Sequence, residues 1–205
     1  MTEAYLEYGF SNADAAHTQE YLWDPVRTLI PWGASVLDAG CGNGAFAGTL
    51  AAAGRDVVGV DLSESGIAAA RQAHPGTRFE VASVTDDLVG RLGRRFDVVT
   101  SLEVVEHLYD PRAYAAALFD VLRPGGGVVL TTPYHGYLKN LALAAAGKLD
   151  AHFTVLWDGG HIKFWSRRTL TTLLTDAGFE DIQFRGAGRL PYLWKSMILS
   201  ARKPA

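Results

Sequence analysis

The 205-residue chain contains a single cysteine, Cys41. An intrachain disulfide is therefore excluded, and a reducing, cytoplasmic setting is the expectation. There is no cationic excess: 19 Lys and Arg stand against 22 Asp and Glu, a net charge of −3. That balance argues against a protein that grips nucleic acid by its phosphates. No apolar run approaches the roughly 18 residues that a spanning helix needs. The opening MTEAYLEYGF lacks the basic and then apolar regions of a signal peptide, so the sequence reads as soluble, with no integral membrane segment. Internal repeats, low-complexity linkers and like-charge tails are also missing. Locally, no Lys or Arg occurs between Arg27 and Arg55. What remains is 48% hydrophobic and 20% charged, enough apolar content for one domain with a full core.

Short Val- and Leu-rich runs alternate with Ala-rich helical segments. Strands are predicted over Ala34–Asp38, Asp56–Val60, Arg78–Ala82, Phe96–Ser101 and Gly127–Thr132. Helices are predicted over Ala45–Ala53, from Ser63 to before Pro75, and over Pro111–Leu122, with an Arg123–Gly126 turn before the fifth strand. Strands that are apolar throughout and alternate with helices indicate a parallel sheet covered on both faces, the doubly wound, Rossmann-like α/β pattern. The rhythm breaks between Tyr134 and Phe164, an aromatic and histidine-rich insert with a short helix predicted at Leu138–Ala146. A helix at Arg167–Ala177 and strands at Glu180–Arg185 and Trp194–Ala201 close the chain. The short GAGRLPY link makes the last two strands an antiparallel pair, on a seven-stranded, mostly parallel sheet.

The stretch VLDAGCGNG, Val36 to Gly44, places a glycine-rich turn directly after the first strand. Gly40-x-Gly42-x-x-Ala45 fits a dinucleotide-binding turn, and Asp61 at the end of the second strand stands where a ribose-binding acid belongs. Two features favour a different ligand. Asp38 puts a carboxylate at the strand tip, where it repels a pyrophosphate and attracts an ammonium or sulfonium. The missing basic residues leave a phosphate no partner near the loop.

VLDAGCGNG, VVGVDLS, SLEVVEHLYDP and LRPGGGVVLTTP, in that order, resemble the motif series of the class I S-adenosylmethionine-dependent methyltransferases, from about Ala34 to Pro133. The resemblance implies S-adenosyl-L-methionine as cofactor. Gly40, Gly42 and Gly44, with Cys41 between them, would let the loop backbone approach its methionine part. Asp38 would hold the amino-acid end and Asp61 the two ribose hydroxyls. Leu62 would lie against the adenine, with Ser83 and Val84 at its edge, although Asp86 and Asp87 compete for that contact. Ser101 and Leu102 would pass under the cofactor. Against these stand plainer readings: glycines serving backbone geometry alone, and Asp61 capping the helix at Ser63.

The chemistry then depends on the acceptor side. Glu103-x-x-Glu106-His107 resembles a segment that ubiquinone-biosynthesis O-methyltransferases associate with a divalent metal. A metal-free reading is preferred here, because hard-ion sites take more oxygen ligands than the string offers. His107 and His161 are the candidate catalytic residues flanking the acceptor. His135 and His152 are further candidates in the insert, while His17 and His74 are expected to face solvent. Tyr8, Tyr134, His135 and Trp157 are the expected acceptor contacts, with Tyr5 and Phe10 also assigned to that aromatic cover. The expected activity is methyl transfer to a small-molecule acceptor, at oxygen in preference to nitrogen. A non-catalytic cofactor-binding regulator, a small-amine N-methyltransferase and a nicotinamide dehydrogenase are the rivals.

Overall fold

The computed structural model describes residues 9–205. Five parallel strands, β1 (Ser35–Ala39), β2 (Asp56–Asp61), β3 (Arg78–Val81), β4 (Phe96–Leu102) and β5 (Leu122–Pro133), join β6 (Glu180–Ala187) and β7 (Ser196–Arg202) in one sheet. Its order is β3-β2-β1-β4-β5-β7-β6, with β7 antiparallel to both β5 and β6. The predicted doubly wound sheet and its antiparallel closing hairpin are therefore present.

Successive residues of a strand face opposite sides of the sheet, and the core divides accordingly. In β1, Val36 packs with Leu22, Val26, Phe46, Leu50 and Ile67 on one face, from helices α1 (Gln19–Arg27), α2 (Ala45–Ala52) and α3 (Glu64–Ala73). Leu37 packs on the other face with Leu88, Tyr114, Leu118, Leu170 and Leu174, from α4 (Leu88–Leu92), α5 (Pro111–Val121) and, beyond the insert, α8 (Arg167–Asp176). Ser63 caps α3 by accepting from the Gly66 amide at 2.9 Å, and Ser166 caps α8 in a reciprocal box with Thr169. These caps explain the predicted helix starts.

Three local expectations change. The predicted Arg123–Gly126 turn is a bulge inside β5: pairing with β4 jumps from Phe96↔Leu122 to Val98↔Gly127. The extra residues fit because Gly125 adopts φ +76 and donates to the Lys203 and Pro204 carbonyls. His74 is not a solvent-facing ring. It packs on α2, and a methyl group at Gly48 would overlap it. Helices α1 and α4 add to the predicted elements; Asp87 caps α4 by accepting from Gly90.

Between β5 and α8 the insert holds α6 (Tyr137–Ala145) and α7 (Leu149–Phe153). It sits beyond the C-terminal ends of the strands. Strand order reverses there between β1 and β4, which in open α/β sheets is where ligands bind.

Candidate active site

The glycine turn is fixed by its backbone. Gly40 and Cys41 both donate to the Val60 carbonyl, at 2.8 and 3.0 Å, and Gly44 donates back to Cys41 at 2.9 Å. Gly40, Gly42 and Gly44 have φ of +81, +53 and +76, conformations that other residues adopt only at a cost. Close packing adds a second demand: a Cβ on Gly40 would overlap Val104, and one on Gly44 would lie 2.6 Å from Ala70 Cβ. Cys41 is buried and free, with its thiol pushed well up by burial and by Asp38 and Asp61; it is a packing residue.

Asp61 serves the loop directly. Its Oδ2 accepts from the Gly42 amide and its Oδ1 from the Ser63 amide, both at 2.8 Å. The capping reading and the ligand reading are compatible, because a carboxylate has about four acceptor positions. Asp38 is 2% exposed. Thr100 Oγ1 donates to its Oδ1 at 2.8 Å, and burial raises its pKa to about 7, with Asp61 adding to the rise. Asp38 takes part in no ion pair among the described residues. Two carboxylates at the strand tips fit a ligand bearing an ammonium and a sulfonium beside a diol, and they oppose a pyrophosphate.

The remaining predicted cofactor residues lie at or just after the C-terminal ends of β2, β3 and β4. Ser101 is buried and donates to the Ala39 carbonyl at 2.6 Å, tying β4 to β1 beneath the turn. Leu102 is half-buried and Leu62 is 40% exposed. Ser83 is half-buried and Val84 buried. Asp86 accepts from the Ser83 amide at 3.1 Å and lies 3.5 Å from Arg91, so it shapes this turn, while Asp87 is committed to its cap. Phe10 belongs to the cofactor side and not to the aromatic insert. It donates to Ser65 Oγ at 3.0 Å, and a Cβ on Gly42 would come within 2.9 Å of its ring. Asn43 Nδ2 holds the same segment through the Asn12 and Asp14 carbonyls, at 3.0 and 2.9 Å. Tyr5 and Tyr8 lie outside the described residues.

At the tips of β4 and β5 the two motif glutamates diverge. Glu103, at φ +56, accepts from Thr131 Oγ1 at 2.8 Å and Ser196 Oγ at 3.2 Å, and Ser196 in turn meets Tyr21. Glu106 is 1% exposed and accepts from Thr132 Oγ1 at 2.9 Å. Its Oε1 has no hydrogen bond and faces His161 Nε2 at 4.0 Å. Burial drives both carboxyls toward the neutral form, Glu103 to about 7, and at Glu106 the neighbouring Glu103 adds to the rise. The adjacent Thr131-Thr132, two hydroxyls ending an apolar strand, were the sequence signal for these partners and were missed.

His107 and His161, 54 positions apart in sequence, meet with ring centroids 4.9 Å apart, and Trp157 closes the group at 6.0 and 5.5 Å. The backbone explains the meeting. Ile162 and Lys163 donate to the Glu106 carbonyl at 2.9 and 3.0 Å, and Trp165 Nε1 donates to the Val105 carbonyl at 3.2 Å. His107 Nδ1 lies 3.0 and 3.2 Å from the Gly159 and Gly160 carbonyls. Those acceptors make Nδ1 the protonated nitrogen and leave Nε2 basic. Burial holds both imidazoles below their usual range, His161 at about 4. The donor atoms of Glu106, His107 and His161 all lie within 4.8 Å of one another. Among the described residues the cluster thus contains His161 and not Glu103, the third member of the disfavoured metal-binding reading of the E-x-x-E-H string.

Tyr134 is a core residue and not an open acceptor wall. It is 9% exposed and meets Trp194 and Phe184, because it leaves β5 beside the start of β7. His135 is half-buried, stacked on Phe153 and edge-on to Phe164.

The family profile described as "Methyltransferase domain" matches residues 14–183. The chain belongs to the S-adenosylmethionine-dependent methyltransferases. A ubiquinone biosynthesis O-methyltransferase of Dinoroseobacter shibae is 36% identical over 160 residues, 75% of this chain and 63% of that one. The enzyme of the same name from Thiobacillus denitrificans is 31% identical over 206 residues, 86% of this chain and 88% of that one. The magnesium protoporphyrin IX methyltransferase of Synechocystis, solved with S-adenosylhomocysteine, shares the fold with a TM-score of 0.61 at 24% identity, over 89% of this chain and 78% of that one. S-adenosylmethionine is accordingly the cofactor of this methyltransferase. Among the described residues no helix is long and apolar enough to cross a membrane.

The neutral, buried Glu103 has a measurable consequence. An unfolded glutamate loses its proton near its ordinary value while the folded one retains it to about 7. Stability therefore falls as pH rises between those two values. Glu103→Gln should remove roughly 2–3 kcal/mol of that fall, seen as a smaller loss of urea stability between pH 5 and pH 8 than in the parent. An equal loss in both proteins would contradict the burial assignment.

Proposed function

We propose that this methyltransferase transfers its methyl group to an oxygen of a small, planar acceptor held beneath the insert, in a cytoplasmic setting. The observation that carries the reading is the His107–His161–Trp157 group beside buried Glu106, at the strand tips that bound the cofactor crevice. The names of the two curated relatives agree with O-methylation.

S-adenosylmethionine, when bound, supplies a methyl carbon already activated by its sulfonium. The chain must then align the acceptor, exclude water and remove the hydroxyl proton. His107 is the better proton acceptor of the two imidazoles. Its Nδ1 proton is anchored on two carbonyls, its Nε2 lone pair is available, and it is neutral at pH 7. His161, held near 4, is too weakly basic for that step and positions His107 through ring contact. Trp157 offers a flat apolar face to a planar acceptor.

His107→Ala should lower kcat by about 10²- to 10⁴-fold with S-adenosylhomocysteine affinity unchanged. The parent's rate should stay level from pH 7 upward and fall only below the ordinary histidine range. An acid limb centred above 7 would remove His107 as the base.

A second reading follows from the approach of Glu106, His107 and His161. One carboxylate and two imidazoles are a donor set for a transition ion more than for magnesium, and such an ion would acidify a bound hydroxyl. Activity that survives EDTA keeps the metal-free reading. Loss in EDTA, restored by zinc or manganese, replaces it.

A further inference from the structure

Lys139 lies on α6, and its side chain is not at the surface. Only 7% of the residue is exposed. Its Nζ makes one long hydrogen bond, donating to the Lys195 carbonyl at 3.4 Å. None of the ion pairs among the described residues includes it. A buried ammonium costs several kcal/mol unless a counter-charge and further hydrogen bonds compensate it.

The surroundings supply more positive charge, not less. Arg189, exposed and likewise in no ion pair among the described residues, acts on Lys139 and on His152, and Lys139 acts on His135 and His152. The His135 and His152 rings lie 5.5 Å apart. His152 Nε2 is a buried atom without a hydrogen bond. His135 Nδ1 and Asn140 Oδ1 are also buried atoms without a hydrogen bond. Glu103 is the one carboxylate that acts on Lys139. It is a weak counter-charge, because both of its oxygens are taken by Thr131 and Ser196 and burial favours its neutral form. The composition agrees: residues 134–168 and 185–195 hold eight of the 19 Lys and Arg and only two of the 22 acidic residues.

We infer that Lys139 binds an anionic substituent of the methyl acceptor, with Arg189 at the rim and the His135–His152 pair beside it. The inference rests on the insert being the acceptor side. The substituent is a carboxylate: a single buried ammonium is neutralised by a single negative charge. The acceptor class is thus a hydroxylated aromatic acid. Lys139 selects it and takes no part in the proton transfer.

The test compares catechol with 3,4-dihydroxybenzoate by calorimetry on the protein saturated with S-adenosylhomocysteine. The parent should bind the acid at least tenfold more tightly, Lys139→Met should abolish the difference, and Arg189→Gln should reduce it. Lys139→Arg should keep it, which a proton-transferring lysine would not predict for turnover. Unfolding of ligand-free Lys139→Met serves as the control: removing an uncompensated ammonium should leave its melting temperature equal or higher, whereas a purely structural lysine would lower it. No preference in the parent, including no binding of either compound, overturns the inference, as does a preference retained by Lys139→Met. Tighter binding of the acid without methylation would leave this pocket standing and sink the O-transfer proposal. Methylation of both compounds with no preference would do the reverse.

Discussion

Asp61→Ala should weaken S-adenosylhomocysteine binding by on the order of 100-fold or more. The carboxylate lies at the tip of β2, where it holds the Gly42 and Ser63 amides and is placed to accept from the ribose diol. Hydrogen bonds to a charged group contribute about 1.5–3 kcal/mol each. Two of them, less what water recovers, amount to about 3 kcal/mol, which is the stated factor. Loss of the Gly42 contact also loosens the turn, so the effect should exceed that of removing any one other polar cofactor contact. Asp61→Asn keeps one acceptor and should fall between. Calorimetric titration with S-adenosylhomocysteine reads all three proteins; affinity unchanged in Asp61→Ala would show that the diol lies elsewhere.

Gly40→Ala should be strongly destabilising. An alanine held at φ +81 costs about 1–2 kcal/mol for the left-handed backbone, and the new Cβ overlaps Val104, adding about 1–3 kcal/mol of overpacking. Val104 cannot withdraw easily, since it opens the short turn Val105–His107 that carries Glu106 and His107. Cofactor binding should be lost together with stability. The double variant Gly40→Ala/Val104→Ala separates the two causes: it should recover the overpacking component and leave the backbone component of about 1–2 kcal/mol. Full recovery in urea unfolding would mean that the left-handed conformation carries no cost; no recovery would mean that the overlap is not the cause.

What could be read in advance was local. The glycine turn, Asp38 and Asp61 sit within 25 positions, and their roles follow from strand ends and charge, so spacing alone brought them together. The sheet was equally legible, because buried parallel strands are apolar throughout. The acceptor side was not. Glu106 and His161 meet only because the backbone of residues 162–163 bonds to the Glu106 carbonyl, a contact between segments more than 50 positions apart. Glu103 and Glu106 belong to one E-x-x-E-H string, yet Glu103 leaves β4 at a positive φ and takes Thr131 and Ser196, while Glu106 takes Thr132. The aromatic wealth of the insert concealed a division of labour: Tyr134 is buried against Trp194, Trp157 stands with the histidines, and His135 joins Phe153 and Phe164. Lysine in a short amphipathic helix is ordinarily a solvated residue, and only the fold buries Lys139.

The fold and cofactor are common to many chemistries, so the central claim is the transfer to oxygen. It is tested most directly by incubating the purified protein with S-adenosylmethionine and a panel of phenols, catechols, hydroxybenzoic acids and amines, then identifying methylated products by mass spectrometry. The account predicts a methoxy product from a hydroxylated aromatic, formed together with S-adenosylhomocysteine and lost in His107→Ala. Methylated amines alone, or tight cofactor binding with no product from any member of the panel, would contradict it.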